Sequence, residues 1–182
     1  MSNQDTYMKI LTAAKEAFSE YGFSGVTTKE LAKKAGVNEV TLFRHFKNKY
    51  NLFSKVFEHF LYLPNFEFSN EYMNQEPQVF MIDIGLRLYS VFLENKSMLL
   101  IEMKNNDLSL RKKISKFPMA LKKKISNFAQ TKMGMDEISA DIMSTNYISF
   151  ISGLFMNTEI FKNFTMEIDY KKCIEQYIGM IL

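Results

Sequence analysis

Thr27-Thr28-Lys29-Glu30-Leu31-Ala32-Lys33-Lys34-Ala35-Gly36-Val37-Asn38-Glu39-Val40-Thr41-Leu42-Phe43-Arg44-His45-Phe46-Lys47-Asn48-Lys49 reads as two short helices joined by a tight turn. A threonine hydroxyl at 27–28 can cap the free amides that open the first helix, and Glu30 lies early enough to suit its positive end. Leu31, Ala32 and Ala35 form an inner face, and Gly36 stops the helix. Asn38 then caps a second helix over 39–46. A glycine-containing turn between two short helices is the signature of a helix-turn-helix, with Val37 tucked between the pair. The second helix of such a unit is of a size to enter a DNA major groove.

Working outward, Ile10, Ala14, Ala17, Phe18 and Tyr21 recur at three- and four-residue spacing, which predicts a helix over 5–21 closed by Gly22. Asn48 caps a fourth helix with a strong apolar stripe of Leu52, Phe53, Val56, Phe57, Phe60 and Leu61, closed by Pro64. Residues 63–77 mix polar residues, proline and aromatics and read as a connector. Further helices are expected over 78–94, over 97–116 with a break near Asn105-Asn106, and over 118–133 with Pro118 in the first turn and Gly134 at the stop. The last two are expected over 136–163 and 169–182.

Composition agrees with an all-α fold. The 182 residues include only 7 Gly and 3 Pro, too few for the many turns of a β-rich chain, and 47% are hydrophobic, enough for a sizeable core. The formal net charge of +3 permits nucleic-acid binding without arguing for it. The single cysteine, Cys173, excludes an internal disulfide framework, fits a reducing cytoplasm and reads as a small hydrophobe on a helical stripe. The polar N-terminus does not read as a signal peptide. Residues 142–158 carry no charge but are too short and too rich in Ser, Thr and Asn for a spanning helix. With two His, one Cys, no glycine-rich phosphate loop and no His/Cys/carboxylate set at metal spacing, the chain offers poor material for an enzyme, a metal site or a cofactor.

The pattern Phe18-x-x-x-Gly22-Phe23-x-x-x-Thr27-Thr28-x-x-Leu31-Ala32-x-x-Ala35-Gly36-Val37-x-x-x-Thr41-Leu42-Phe43-x-His45-Phe46-x-Asn48-Lys49-x-x-Leu52 closely resembles the N-terminal domain of the TetR family of regulators. Two positions depart from it: Val40 stands where the family often has Gly, and Phe43 where it often has Tyr. The resemblance implies a three-helix, helix-turn-helix DNA-binding domain over 1–48. It further implies a helical effector-binding and dimerisation domain over 49–182, entered by a linking helix over 49–63.

Physical reading assigns contacts within that frame. Thr28 at the start of the first motif helix, His45 at the end of the second and Lys49 on the fourth helix are placed to hold phosphates, and Thr27 and Asn38 are counted among the DNA-contacting residues with them. Base reading falls to the exposed face of 39–44. There Arg44 can pair with guanine and Glu39 can accept from cytosine N4, Phe43 can touch a thymine methyl, and Val40 and Thr41 can touch methyl groups or phosphate; Lys29 can reach a base edge or a phosphate. His45 has a structural alternative as a donor to a local carbonyl. His59 reads as a surface residue.

The body behind the motif matches no further pattern; its role is what the resemblance implies, dimerisation and binding of a small inducer. Phe80, Ile84, Leu88, Phe92, Met98, Phe117, Phe128 and Tyr147 are candidate pocket walls, apolar enough to favour a hydrophobic or aromatic ligand. Asp83, Glu102 or Asp141 would favour a cation if buried. The basic run over 111–124 reads as a solvated face. Ile148, Ile151, Leu154 and Phe155 on one helix and Tyr170, Ile174, Tyr177 and Ile178 on the last form stripes that a two-fold copy would bury in a four-helix interface; the alternative is that both stripes face their own core. The leading expectation is a cytoplasmic, dimeric repressor whose operator affinity falls on ligand binding; an enzyme and an interaction module with a vestigial head are the rivals.

Overall fold

The computed structural model describes residues 3–64, 70–105, 108–162 and 169–182, with the side chains of 70–71 and 108–116 left undescribed. These residues form ten α-helices and no strand: α1 (Asn3–Tyr21), α2 (Thr28–Lys34), α3 (Glu39–Phe46), α4 (Lys49–Phe60), α5 (Asn70–Met73), α6 (Pro77–Glu94), α7 (Lys96–Asn105), α8 (Leu108–Met133), α9 (Glu137–Phe155) and α10 (Tyr170–Ile181). A π-helical turn, Met156–Ile160, continues α9. No helix among the described residues is long and apolar enough to cross a membrane.

The chain divides into two compact units, Met1–Tyr62 with Glu94–Arg111, and Leu63–Leu93 with Lys112–Leu182. In the first, α2, α4 and α7 pack on α1, and α3 packs on α2 and α4. Ile10, Leu11, Ala14, Ala17 and Phe18 give α1 a fully or nearly fully buried face. The Phe18 ring meets Phe53 of α4 edge-on at 5.3 Å, and Phe53 in turn touches Phe23 at 5.0 Å. Edge-to-face pairs of this kind add to the burial of the rings. The apolar stripe of α4 is thus part of this core, so the domain boundary expected after residue 48 falls inside a compact unit.

Two polar residues of the returning segment tie this unit together. Lys104 Nζ donates to the carbonyls of Ser19 and Glu20, each at 2.6 Å, supplying a cation and hydrogen bonds at the C-terminal end of α1. Asn105 Oδ1 accepts from the Phe23 amide at 2.6 Å, just past the α1 stop at Gly22, whose φ of +75° suits glycine. Buried Asn95 closes the other end, accepting from Tyr62 N at 2.8 Å and donating to Tyr62 O at 2.6 Å.

The second unit is built around the apolar face of α6. Phe80 stacks on Phe128 of α8 at 3.7 Å, and Tyr89 stacks on Tyr170 of α10 at 4.1 Å. Tyr147 of α9 is fully buried and its hydroxyl donates to the Met81 carbonyl at 2.5 Å. Burial pushes the Tyr147 phenol above its ordinary pKa, so it stays a neutral donor. Gly85 permits this approach: a Cβ there would lie 2.1 Å from the Tyr147 hydroxyl and 2.9 Å from Ile174 Cγ2.

Several expectations change here. Pro118 lies inside α8 rather than opening a helix; α8 already runs from Leu108, and Pro118, lacking an N–H, removes one rung of its hydrogen-bond ladder. The break near Asn105 falls between α7 and α8, where 106–107 lie outside the described residues. The side chains of 111–116 in the basic run are likewise undescribed; Lys122 pairs with Asp141 at 2.8 Å on the surface. Of the proposed dimer residues, Ile151, Phe155, Ile174 and Ile178 are fully or almost fully buried in their own unit, and the rings of Tyr170 and Tyr177 stack on Tyr89 and Phe150. Those stripes therefore largely face the chain's own core, with Ile148, Leu154, Tyr170 and Tyr177 half-buried.

Of the candidate pocket walls, Met98 belongs to the first unit, on α7, and not with the others. Phe80, Ile84, Leu88, Phe128 and Tyr147 are close-packed core, while Phe92 and Phe117 are half-buried. Asp83 is not a buried lone charge; it is partly exposed, accepts from Tyr72 and pairs with Arg87 at 2.7 Å.

Gly85→Ala is expected to lower stability by roughly 1–3 kcal/mol through overpacking, read from the urea midpoint, and Tyr147→Phe in the same chain to restore part of the loss.

Candidate nucleic-acid interface

Helices of seven and eight residues need help at their ends. In α2 it is a complete capping box. Thr27 Oγ1 accepts from the Glu30 amide at 3.2 Å and donates to the Glu30 carboxylate at 2.8 Å, while that carboxylate accepts from the Thr27 amide at 2.7 Å. These hydrogen bonds hold the Glu30 carboxyl below its ordinary pKa. Gly36, at φ +67°, turns the chain, and Asn38 Oδ1 accepts from the Thr41 amide at 2.7 Å to start α3. Asn48 repeats the device at 2.7 Å on the Asn51 amide to start α4. Thr27 and Asn38, counted among the DNA contacts, thus serve first as caps.

The two motif helices pack on each other, and Leu31, Leu42 and Phe46 are all essentially buried. The opposite side of α3 is open. Val40 is 77% exposed and Phe43 41% exposed, and Arg44, one helical turn after Val40, is exposed as well. A valine, a phenylalanine and an arginine side by side on the outside of a short helix suit thymine methyls and a guanine edge. Thr41, half-buried, lies at the edge of this face.

Charge is distributed unevenly. Residues 27–49 hold six Lys or Arg against Glu30 and Glu39. Both acids are occupied internally: Glu30 by the capping box, and half-buried Glu39 by the Thr28 hydroxyl, which donates to its Oε1. Lys29, Arg44 and Lys47 have no partner among the described residues, whereas Lys34 pairs with Glu16 at 3.2 Å. Lys49 is the first residue of α4, where the helix dipole disfavours a cation. Its ammonium sits 4.5 Å from the Phe23 ring centroid, and partial burial lowers its pKa despite the opposing pull of Glu30.

His45 departs from its expected role. Its Nε2 is buried, has no hydrogen-bond partner among the described residues, and its ring lies 6.1 Å from that of Tyr7. It is packed beside α1 and does not reach outward through that nitrogen. Tyr7, which stacks on Phe46 at 4.8 Å, was not singled out from the sequence, although it precedes Ile10 by three residues on the same face. Lys47 was also missed. It takes the left-handed region at φ +63° as the C-cap of α3, so a basic side chain stands at the junction of α3 and α4. Its position between Phe46 and the capping Asn48 is the signal that marks it.

Residues 10–56 match the family model for bacterial regulatory proteins of the tetR family. The family likeness is thus confined to the N-terminal part of this chain. Over 47 residues it is 49% identical to the uncharacterized HTH-type transcriptional regulator YvkB of Bacillus subtilis, and over 55 residues 42% identical to the HTH-type transcriptional regulator AcrR of Shigella flexneri. These matches take in 26% and 30% of this chain but only 25% and 26% of those proteins, so the chain spans about a quarter of the curated relatives it matches. The fold likeness is wider. NalD of Pseudomonas aeruginosa, the secondary repressor of a multidrug efflux pump, aligns over 98% of this chain and 97% of its own with a TM-score of 0.67 and 21% identity. The residues that match the family model lie within α1 to α4, where the caps and the exposed face of α3 reside.

Asn38→Ala is expected to cost about 1 kcal/mol in denaturant-measured stability, and Asn38→Gly only a few tenths, because glycine retains much of the cap preference.

Proposed function

We propose that this chain is a homodimeric, sequence-specific DNA-binding transcriptional repressor, released from its operator by a small hydrophobic or aromatic ligand. The observation that carries it is the outward face of α3: Val40, Phe43 and Arg44 are exposed, and the adjoining acids are already engaged within the domain. Val40, Phe43 and Arg44 read base edges, Lys29, Lys47 and Lys49 meet phosphates, and the free amides of the capped helices add neutral phosphate donors. NalD's role as a repressor supports the sign of regulation.

The dimer surface moves from the buried stripes to the solvent side of the same two helices. Ile138 and Ile142 of α9 are 73% and 55% exposed, and Met180 of α10 is 83% exposed. Gly153 and Gly179 have open space where a Cβ would stand, so a copy can approach closely. A two-fold copy seated there gives two recognition helices for successive major grooves. Phe92 and Phe117, the half-buried members of the candidate set in the second unit, are apolar and suit an apolar effector. A ligand that favours one packing of these rings biases the dimer towards a state with lower operator affinity.

Fluorescence anisotropy on duplex DNA from upstream of the protein's own gene, beside random duplex and across a salt series, tests the reading. Tight, salt-sensitive binding that prefers the native duplex is expected. Arg44→Ala should cost about tenfold or more on that duplex with little effect on random DNA, and Lys49→Ala should weaken both and reduce the salt slope by about one. Weak, equal binding to every duplex after ligand extraction and a widened DNA pool sinks the regulator reading. For the dimer, Ile142→Glu with Met180→Glu should shift sedimentation towards monomer; an unchanged dimer places the interface elsewhere.

A further inference from the structure

We infer that Thr28 is a positioning residue for sequence readout: it holds the Glu39 carboxylate as a selector for cytosine, and its hydroxyl is not a phosphate donor. This rests on the DNA-binding reading above. Thr28 is the first residue of α2 and Glu39 the first of α3, eleven positions apart, and the Thr28 hydroxyl donates to Glu39 Oε1. A threonine hydroxyl has one proton, and a phosphate oxygen only accepts. With that proton committed to Glu39, the hydroxyl offers a phosphate only lone pairs. Its backbone amide stays free for that purpose.

The consequence falls on Glu39. An ionised carboxylate is acceptor-only and brings a negative charge to a surface that otherwise presents Lys29, Arg44 and Lys47 to a polyanion. Such a group is tolerable in a groove where it meets an N–H donor, and the major-groove donor it suits is cytosine N4. One oxygen, Oε1, is taken by Thr28, and Oε2 remains for the base. The bond across the turn restricts a side chain that would otherwise sample several rotamers, so the entropy of fixing it is met within the protein before DNA arrives. N-terminal residues of a recognition helix are those that meet base edges, and Glu39 lies one residue before exposed Val40 and four before Phe43. The carboxylate therefore stands beside the face assigned to bases.

The test begins with selection of operators from a randomised duplex library by the full-length wild type. The anisotropy of the selected duplex is then compared with that of single-base variants at every position. The wild type should show one position per half-site where C·G is preferred over the alternatives by about tenfold. Glu39→Gln should move that position alone towards A·T, because an amide pairs with adenine N6 and N7. Thr28→Val, which keeps the shape and removes the proton, should flatten the same position to within about twofold while leaving the other positions and the salt slope in place; Thr28→Ser should restore it. Circular dichroism melts check that each variant is folded.

Uniform weakening by Thr28→Val across all sequences, with the cytosine column intact, makes Thr28 a phosphate contact and overturns the inference. An unchanged specificity profile in Glu39→Gln overturns it too, and in both cases the wild type's own preference leaves the regulator reading standing. Selection that enriches no sequence at all fails both readings together.

Discussion

Short helices are the constraint on which the helix-turn-helix part of this protein depends. Isolated helices of seven or eight residues are unstable in water, because a turn fixes several dihedrals for each hydrogen bond it closes. Here each short helix begins at a side-chain cap and rests on a neighbour through one or two buried residues. The capping box at Thr27 and Glu30, the Asn38 cap and the Asn48 cap do the first job. Leu31, Leu42, Phe46 and the Phe18–Phe53 pair do the second. Because the inner face of α3 does all the packing, its outer face is free to carry residues chosen for a partner.

That division explains why this region was legible. Caps are local chemistry: a Thr, Asn or Asp immediately before an apolar-periodic run names its own role, and Thr27, Asn38, Asn48, Asp136 and Asp169 all cap the helices they precede. Glycines at positive φ, Gly22, Gly36 and Gly134, end helices where the pattern ends. The outward position of Val40 and Arg44 follows from helical spacing once Leu42 and Phe46 are known to point in. The orientation of His45 and the engagement of Glu39 by Thr28 did not follow. Both are set by contacts across elements, with Tyr7 on α1 in one case and with α2 in the other.

The body was less readable for a different reason. An apolar stripe states that a face is covered and is silent about what covers it. Ile174 and Ile178 have the same spacing whether they meet a second copy or their own α6 and α9, and in the structure they are buried within their unit. The aromatic residues considered as walls of a pocket are likewise satisfied by one another, as Phe80 and Phe128 show by stacking. Only Gly85, by admitting Tyr147 and Ile174 so closely, records in a single residue that three helices must meet at that point.

The attachment of Lys104 and Asn105 to the end of α1 bears on how such a chain can be taken apart. The residues that finish α1 and fasten the loop after it come 80-odd positions later in the sequence. The first unit is therefore not a contiguous cassette: its last pieces are returned to it by a segment that leaves after Tyr62 and comes back at Glu94. A graft that carried residues 1–62 onto a foreign body would leave the α1 carbonyls and the Phe23 amide without these partners. Recombination between relatives is correspondingly constrained, since a new body must bring its own lysine and asparagine, or their equivalents, to the same two places.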